Sequence, residues 1–264
     1  MKTILLIITA FCILSFACAT SIASYTNETN ATKTTNVDLS ASLLDFSKLW
    51  IFDFTGYHKG LHGVIGDKGQ RIQMKFTKVE KSDSLTYTIT GRSRVNKNIC
   101  DFKGYVKIEN IRDCDLEEDD ANSYAGETIG TYHFEEDKSQ AHTGIFEGRF
   151  SSKFIIDEGE ILLHTGWYTP NECTDFIGEW KEYGNNEAKK CNFGIGYPEF
   201  FRHTENAMHV FDIKYINMGW NNFVYAYRNE IIISRNFPDT SGAISRTDEE
   251  CEKAEEAETE SWNF

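Results

Sequence analysis

Phe146-Glu147-Gly148-Arg149-Phe150-Ser151-Ser152-Lys153-Phe154-Ile155-Ile156 is the stretch that decides the fold. In an extended chain alternate residues share a face, so Phe146, Gly148, Phe150, Ser152, Phe154 and Ile156 lie on one side. Glu147, Arg149, Ser151 and Lys153 lie on the other. One apolar side and one charged side describe a half-buried strand of an antiparallel sheet.

The same period recurs in both directions along the chain. Trp50, Phe52 and Phe54 alternate with Ile51 and Asp53, and Ile72, Met74 and Phe76 with Gln73 and Lys75. Leu85, Tyr87 and Ile89 alternate with threonines. Phe102, Gly104, Val106 and Ile108 face away from Lys103, Tyr105 and Lys107. Residues 129–134, 161–167, 176–183, 208–218 and 223–234 complete the strand candidates, and no helical period of useful length precedes residue 239. A phrase Asp-Phe-x-Gly-x-x-Lys is written three times, at Asp53–Lys59, Asp101–Lys107 and Asp175–Lys181. On a strand it sets Phe and Gly on the core face and Asp and Lys on the solvent face. A Gly on the core face of a strand marks a bend or a close neighbour. Gly56, Gly104, Gly148 and Gly178 therefore favour strong curvature. The expected fold is all-β, an antiparallel barrel or strongly curved sandwich of roughly ten strands over residues 45–238.

Gly178-Glu179-Trp180-Lys181 resembles the Gly-x-Trp signature of lipocalin-like (calycin) secreted barrels, and Gly130-Thr131-Tyr132 resembles its aromatic variant. In that family the motif lies on the first strand; here it falls beyond the middle of the chain. The resemblance implies a secreted antiparallel barrel and assigns no ligand residues.

The ends of the chain read differently. Met1-Lys2 and the apolar run to Ala17 read as a signal peptide, residues 1–19, with cleavage expected after Ala17-Cys18-Ala19. The alternative is a bacterial lipoprotein anchored at Cys18 in the periplasm or outer membrane. Residues 20–44, rich in Ser, Thr and Asn, read as a disordered spacer carrying glycosylation acceptors at Asn27 and Asn30 if the host is eukaryotic. Residues 239–264 hold nine acids and two bases, half of the chain's net charge of −14. Thr247 can cap a helix opening with Asp248, Glu249 and Glu250. With few apolar partners, that segment reads as a solvated, disordered tail. The acidic balance argues against nucleic acid and against anionic membrane surfaces, and no apolar run beyond the leader is long enough to span a bilayer.

Seven cysteines accompany the secreted reading. Nearest-neighbour bridges Cys100–Cys114 and Cys173–Cys191 follow from the compartment and the spacing. Cys251 is left over and suits a bridge between two copies. No close Cys or His pair has zinc spacing, and the acidic run from Asp113 to Asp120 fails the calcium-loop pattern, with Glu118 at the sixth position and Tyr124 at the twelfth. His58 and His62 stand in a glycine-containing loop, and His203 and His209 flank another turn; both pairs read as ordinary histidines. No catalytic motif is present, and no cofactor or metal is expected. Trp167, Tyr168, Tyr197 and Trp220, in loop contexts, are the candidates for a pocket mouth receiving a small apolar or sugar ligand. The functional expectation is a secreted or surface-tethered, non-catalytic binding barrel. A structural or adhesive domain and a carboxylate-dependent extracellular hydrolase are the alternatives, and the contents of the barrel discriminate among them.

Overall fold

In the computed structural model the described residues are 44–51, 60–113, 124–157, 160–164, 173–195, 202–203, 209–227, 231–236 and 240–264. The half-apolar stretches pair in sequence order. Strands β1 (Leu61–Ile65), β2 (Gln70–Lys81), β3 (Thr86–Val95), β4 (Asn98–Asp113), β5 (Tyr124–Glu136) and β6 (Gly144–Asp157) follow one another as antiparallel neighbours. A short strand β7 (Glu160–Leu163) folds back on the end of β6. Strands β8 (Thr174–Glu182) and β9 (Ala188–Gly194) continue the wall, and β9 pairs with β1. Eight strands, all but β7, thus close an up-and-down antiparallel barrel with no free edge between β9 and β1.

Curvature comes from the places the alternation flagged. Register shifts at Phe76/Lys78 and Ile108/Asn110 bend β2 and β4. Gly148 and Gly178 stand opposite each other between β6 and β8. A Cβ at Gly178 would lie 2.7 Å from the Tyr132 hydroxyl and 2.8 Å from the Gly148 Cα, so only glycine allows the walls to approach there. The second and third copies of the repeated phrase sit on β4 and β8 as expected: Phe102 and Phe176 are buried, and Asp101, Lys107 and Lys181 are exposed. The first copy lies outside the described residues.

The barrel is filled at mid-height by rings. Phe76 of β2 meets Phe134 of β5 at 5.4 Å and Phe176 of β8 at 5.6 Å, each three strands away around the wall. Phe176 also contacts Tyr132, Phe150 and Phe193 at 5.2, 5.7 and 5.0 Å. Rings from opposite walls therefore touch across the axis, mostly edge-on or offset, the geometry that aromatic quadrupoles favour.

One end of the barrel is stoppered by the 3-10 turn Ser47–Trp50, which buries Phe46, Leu49 and Trp50 completely. Trp50 donates its indole N–H to Ser152 Oγ at 3.0 Å, and the Phe46 amide donates to the Tyr87 hydroxyl at 3.0 Å. Trp50 was expected in a strand; its burial under the barrel end selects the turn instead. The other end, where the β3–β4 and β5–β6 hairpins turn, is closed by Trp180 and the buried carboxylate of Glu136.

A second layer packs outside β1 and β2. It contains a small sheet of β10 (Arg202–His203), β11 (His209–Asp212) and β12 (Ile231–Ser234), a 3-10 segment Ile213–Met218, helix α1 (Asn221–Ala226) and helix α2 (Asp248–Glu260). Here the sequence reading is corrected. Residues 213–218 and 221–226 are helical, not strand, because Trp220, Phe223, Val224 and Tyr227 recur at three- and four-residue intervals and share one buried helical face. Trp220 is anchored by its indole N–H to Gly69 O at 2.9 Å.

The acidic segment is also folded. Thr247 caps α2 through a reciprocal capping box with Glu250, so the helix start read from the sequence holds. The solvated state expected for it does not. Cys251, Ala254 and Glu258 are buried on one side of α2, and Trp262 beyond it is fully buried. Three small or polar residues carry little apolar signal, and the segment is held by partners distant in sequence.

Strand register separates the expected pair Cys173–Cys191. Cys191 stands opposite Gly178, five residues along β8 from Cys173. That separation is about 16 Å at strand rise, against the roughly 4.4–6.8 Å between Cα atoms that a disulfide spans. Cys100 is a buried thiol near the start of β4. Cys114 itself lies outside the described residues. Cys251 is 3% exposed, which leaves no surface thiol there to join two copies. Among the described residues no helix is long and apolar enough to cross a membrane.

Candidate functional site

Of the four aromatic residues expected at a pocket mouth, Trp167, Tyr168 and Tyr197 lie outside the described residues. Trp220 is fully buried between α1 and the β1–β2 turn, so it lines no mouth. Asn27 and Asn30 also lie outside the described residues, as do Cys18, His58 and most of the acidic run after Asp113. His62 is corrected from a loop to strand β1, where it is 2% exposed. His203 and His209 pair directly between β10 and β11. No group of three His, Cys, Asp or Glu suited to a metal ion occurs among the described residues.

Two arrangements carry chemistry. The first is the buried carboxylate at the hairpin end. Glu136 accepts from Ser93 Oγ, from the Trp180 indole N–H at 2.9 Å and from the Gly144 amide at 2.8 Å. Burial pushes its carboxyl above the ordinary range, while these donors pull it back. Cys100 lies beside it with its thiol pushed up to about 11 by burial first and then by Glu136. Every oxygen of Glu136 is engaged, and the cluster closes the barrel. It ties β3, β5, β6 and β8 together at that end of the barrel.

The second is the outer wall of β4, β5, β6 and β8. Strand register lines up Tyr105, His133, Glu147 and Glu179 in one row across the four strands. The Tyr105 ring, 42% exposed, stacks on His133 with centroids 5.8 Å apart. His133 stands between two carboxylates, Glu135 at 3.2 Å and Glu147 at 3.4 Å. One row along, Ile177 is 60% exposed beside Arg149, which pairs with Glu109 at 3.3 Å. Tyr105 and Ile177 lie three strands apart, roughly 14 Å at the usual strand spacing. A flat aromatic face with acceptor carboxylates beside it and an apolar side chain across the wall can engage a ligand with alternating polar and apolar faces. Sequence alternation assigns these side chains to the solvent side. Only strand register puts them in one row.

No protein-family model, curated protein or solved structure matches this chain.

Proposed function

We propose that the protein is a secreted or surface-tethered, non-catalytic binding domain that engages its partner with the outside of its barrel. The observation that supports this reading is the contact of Phe76 with Phe134 and Phe176 across the barrel axis. Rings occupy the space where a carrier barrel holds cargo. The filled interior argues against binding in the manner of a carrier barrel.

The binding face in this reading is the Tyr105–His133–Glu147 row with Ile177. Exposed rings flanked by carboxylates suit sugars, which stack their C–H faces and donate from their hydroxyls. The hydrolase alternative calls for two carboxylates converging across a cleft, and Glu136 is bound up with three donors.

Native mass spectrometry of the mature protein, followed by binding to a panel of immobilised glycans, tests the reading. The expected outcome is a mass free of retained lipid and glycan binding that Tyr105→Ala and Ile177→Asp each weaken at least tenfold. A lipid co-purifying at one per chain, or binding indifferent to both substitutions, would overturn it.

A further inference from the structure

The second layer rests on a buried charged cluster that the outer-wall reading does not use. Arg71 of β2 projects outward from the barrel between the rings of Trp220 and Phe223, with its guanidinium 5.2 and 5.1 Å from their centroids. It grips both carboxylate oxygens of Glu258 on α2: Nη1 donates to Oε2 at 2.8 Å, and Nη2 donates to Oε1. The same Nη2 stands 2.8 Å from Nδ1 of His62. Arg71, Glu258 and His62 are 6%, 0% and 2% exposed. A guanidinium has donors only, so Nδ1 of His62 must accept and its proton resides on Nε2. The cluster as built requires a neutral imidazole.

The chain beyond α2 follows this attachment along the wall. Gln73 donates to Ser261 Oγ at 2.9 Å, Lys75 to Trp262 O at 3.0 Å, and Arg94 to Ser261 O. Lys75 and Arg94 both lie over the Phe264 ring, at 5.9 and 5.7 Å. The Trp262 ring stands edge-on to His62 at 4.8 Å.

We propose that His62, Arg71 and Glu258 form a proton-sensitive latch that holds residues 248–264 on the barrel and releases them when the imidazole is protonated. Protonation turns Nδ1 from acceptor to donor. It removes the bond from Arg71 and sets two cations side by side in a dry site. The groups facing His62 decide whether anything compensates. From β2 come Arg71 and the neutral Gln73; from α2 comes Glu258; from α1 and the chain end come the rings of Phe223 and Trp262. Gly194 of β9 stands opposite His62, and Asp175 of β8 reaches over that glycine, its Oδ1 2.6 Å from where a Cβ would stand. Asp175 and Glu258 are the acids that favour imidazolium. Glu258 is already shared across both nitrogens of Arg71, so turning toward His62 breaks the clamp. Either response loosens α2. Release uncovers Arg71, Lys75 and Arg94 beside Trp220 and Phe223, a basic, aromatic face on an acidic protein.

Hydrogen exchange of the full chain, corrected for intrinsic rates and read by peptide, tests the latch from pH 7.5 to 5.0. Each pH unit below the titration of one linked proton weakens the closed state up to tenfold. Protection over residues 248–262 is therefore expected to fall at least tenfold, with a midpoint above pH 5, while β3 to β5 stay protected. Ordinary carboxylates titrate near pH 4 and imidazoles near 6.5, and loss of the transition in His62→Gln assigns it to His62. His62→Gln, whose side-chain oxygen accepts from Arg71 without titrating, is expected to keep the segment protected at pH 5. Glu258→Gln is expected to loosen it already at pH 7.5. Unchanged protection in the wild type, a midpoint near 4, or the same loss in a folded His62→Gln variant would overturn the proposal. Where that variant loses barrel protection as well, the wild-type titration and Glu258→Gln decide.

Discussion

At the scale of single residues, Glu136 shows how burial becomes a pH dependence. Its carboxyl is raised because desolvation outweighs the donors Ser93, Trp180 and Gly144. The folded protein therefore keeps a proton that the unfolded chain has released. The stabilisation is full below the ordinary value of 4.5 and declines as pH rises toward the folded one. Glu136→Gln tests this. The amide oxygen takes the place of Oε2 toward Trp180 and Gly144, and the amide nitrogen donates to Ser93 Oγ. The wild type is expected to lose more stability between pH 5 and 8 than the variant in urea unfolding; parallel curves would contradict the assignment. By residue type Glu136 is no different from Glu135; the two carboxylates differ only in which side of the strand they occupy. The alternation does put Phe134 and Glu136 on one face, and that was the available signal.

At the scale of elements, barrel closure depends on strands approaching where a side chain would not fit. Gly178→Ala puts a methyl against the Tyr132 hydroxyl and the Gly148 backbone. A loss of about 1–3 kcal/mol is expected from overpacking, measured as a shift of the urea midpoint; a neutral result would mean the walls have slack there. Strands β2 to β6 and β8 were legible because each keeps one apolar face against solvent over many residues. Helix α1 was misread because Phe223, Tyr225 and Tyr227 also satisfy a two-residue period. The tie is broken by Trp220 and Val224, which reach the core only when the segment is helical. Helix α2 announced its start through Thr247 and Glu250 but not its burial. Its anchor, Glu258, is indistinguishable by residue type from the solvated glutamates around it.

At the scale of the whole molecule, the described thiols are interior groups. Cys100 is pushed up to about 11 and Cys191 is raised further by complete burial, so neither offers a thiolate at neutral pH. Alkylation at pH 8 with peptide mapping is expected to leave Cys100 and Cys191 unmodified in the native protein and to label both in urea. A recovered Cys173–Cys191 crosslink would contradict the β8–β9 register. The sequence alone determined the class of fold: period-2 alternation is a local property, and it specifies strands, their inward faces and the glycines of tight curvature. The tertiary structure decided everything that joins distant residues. It set Cys191 opposite Gly178, brought rings from β2, β5 and β8 together on one axis, and matched Glu258 with Arg71 across 187 positions. Such pairings depend on register and closure, which accumulate over the whole wall and leave no mark at the residues themselves.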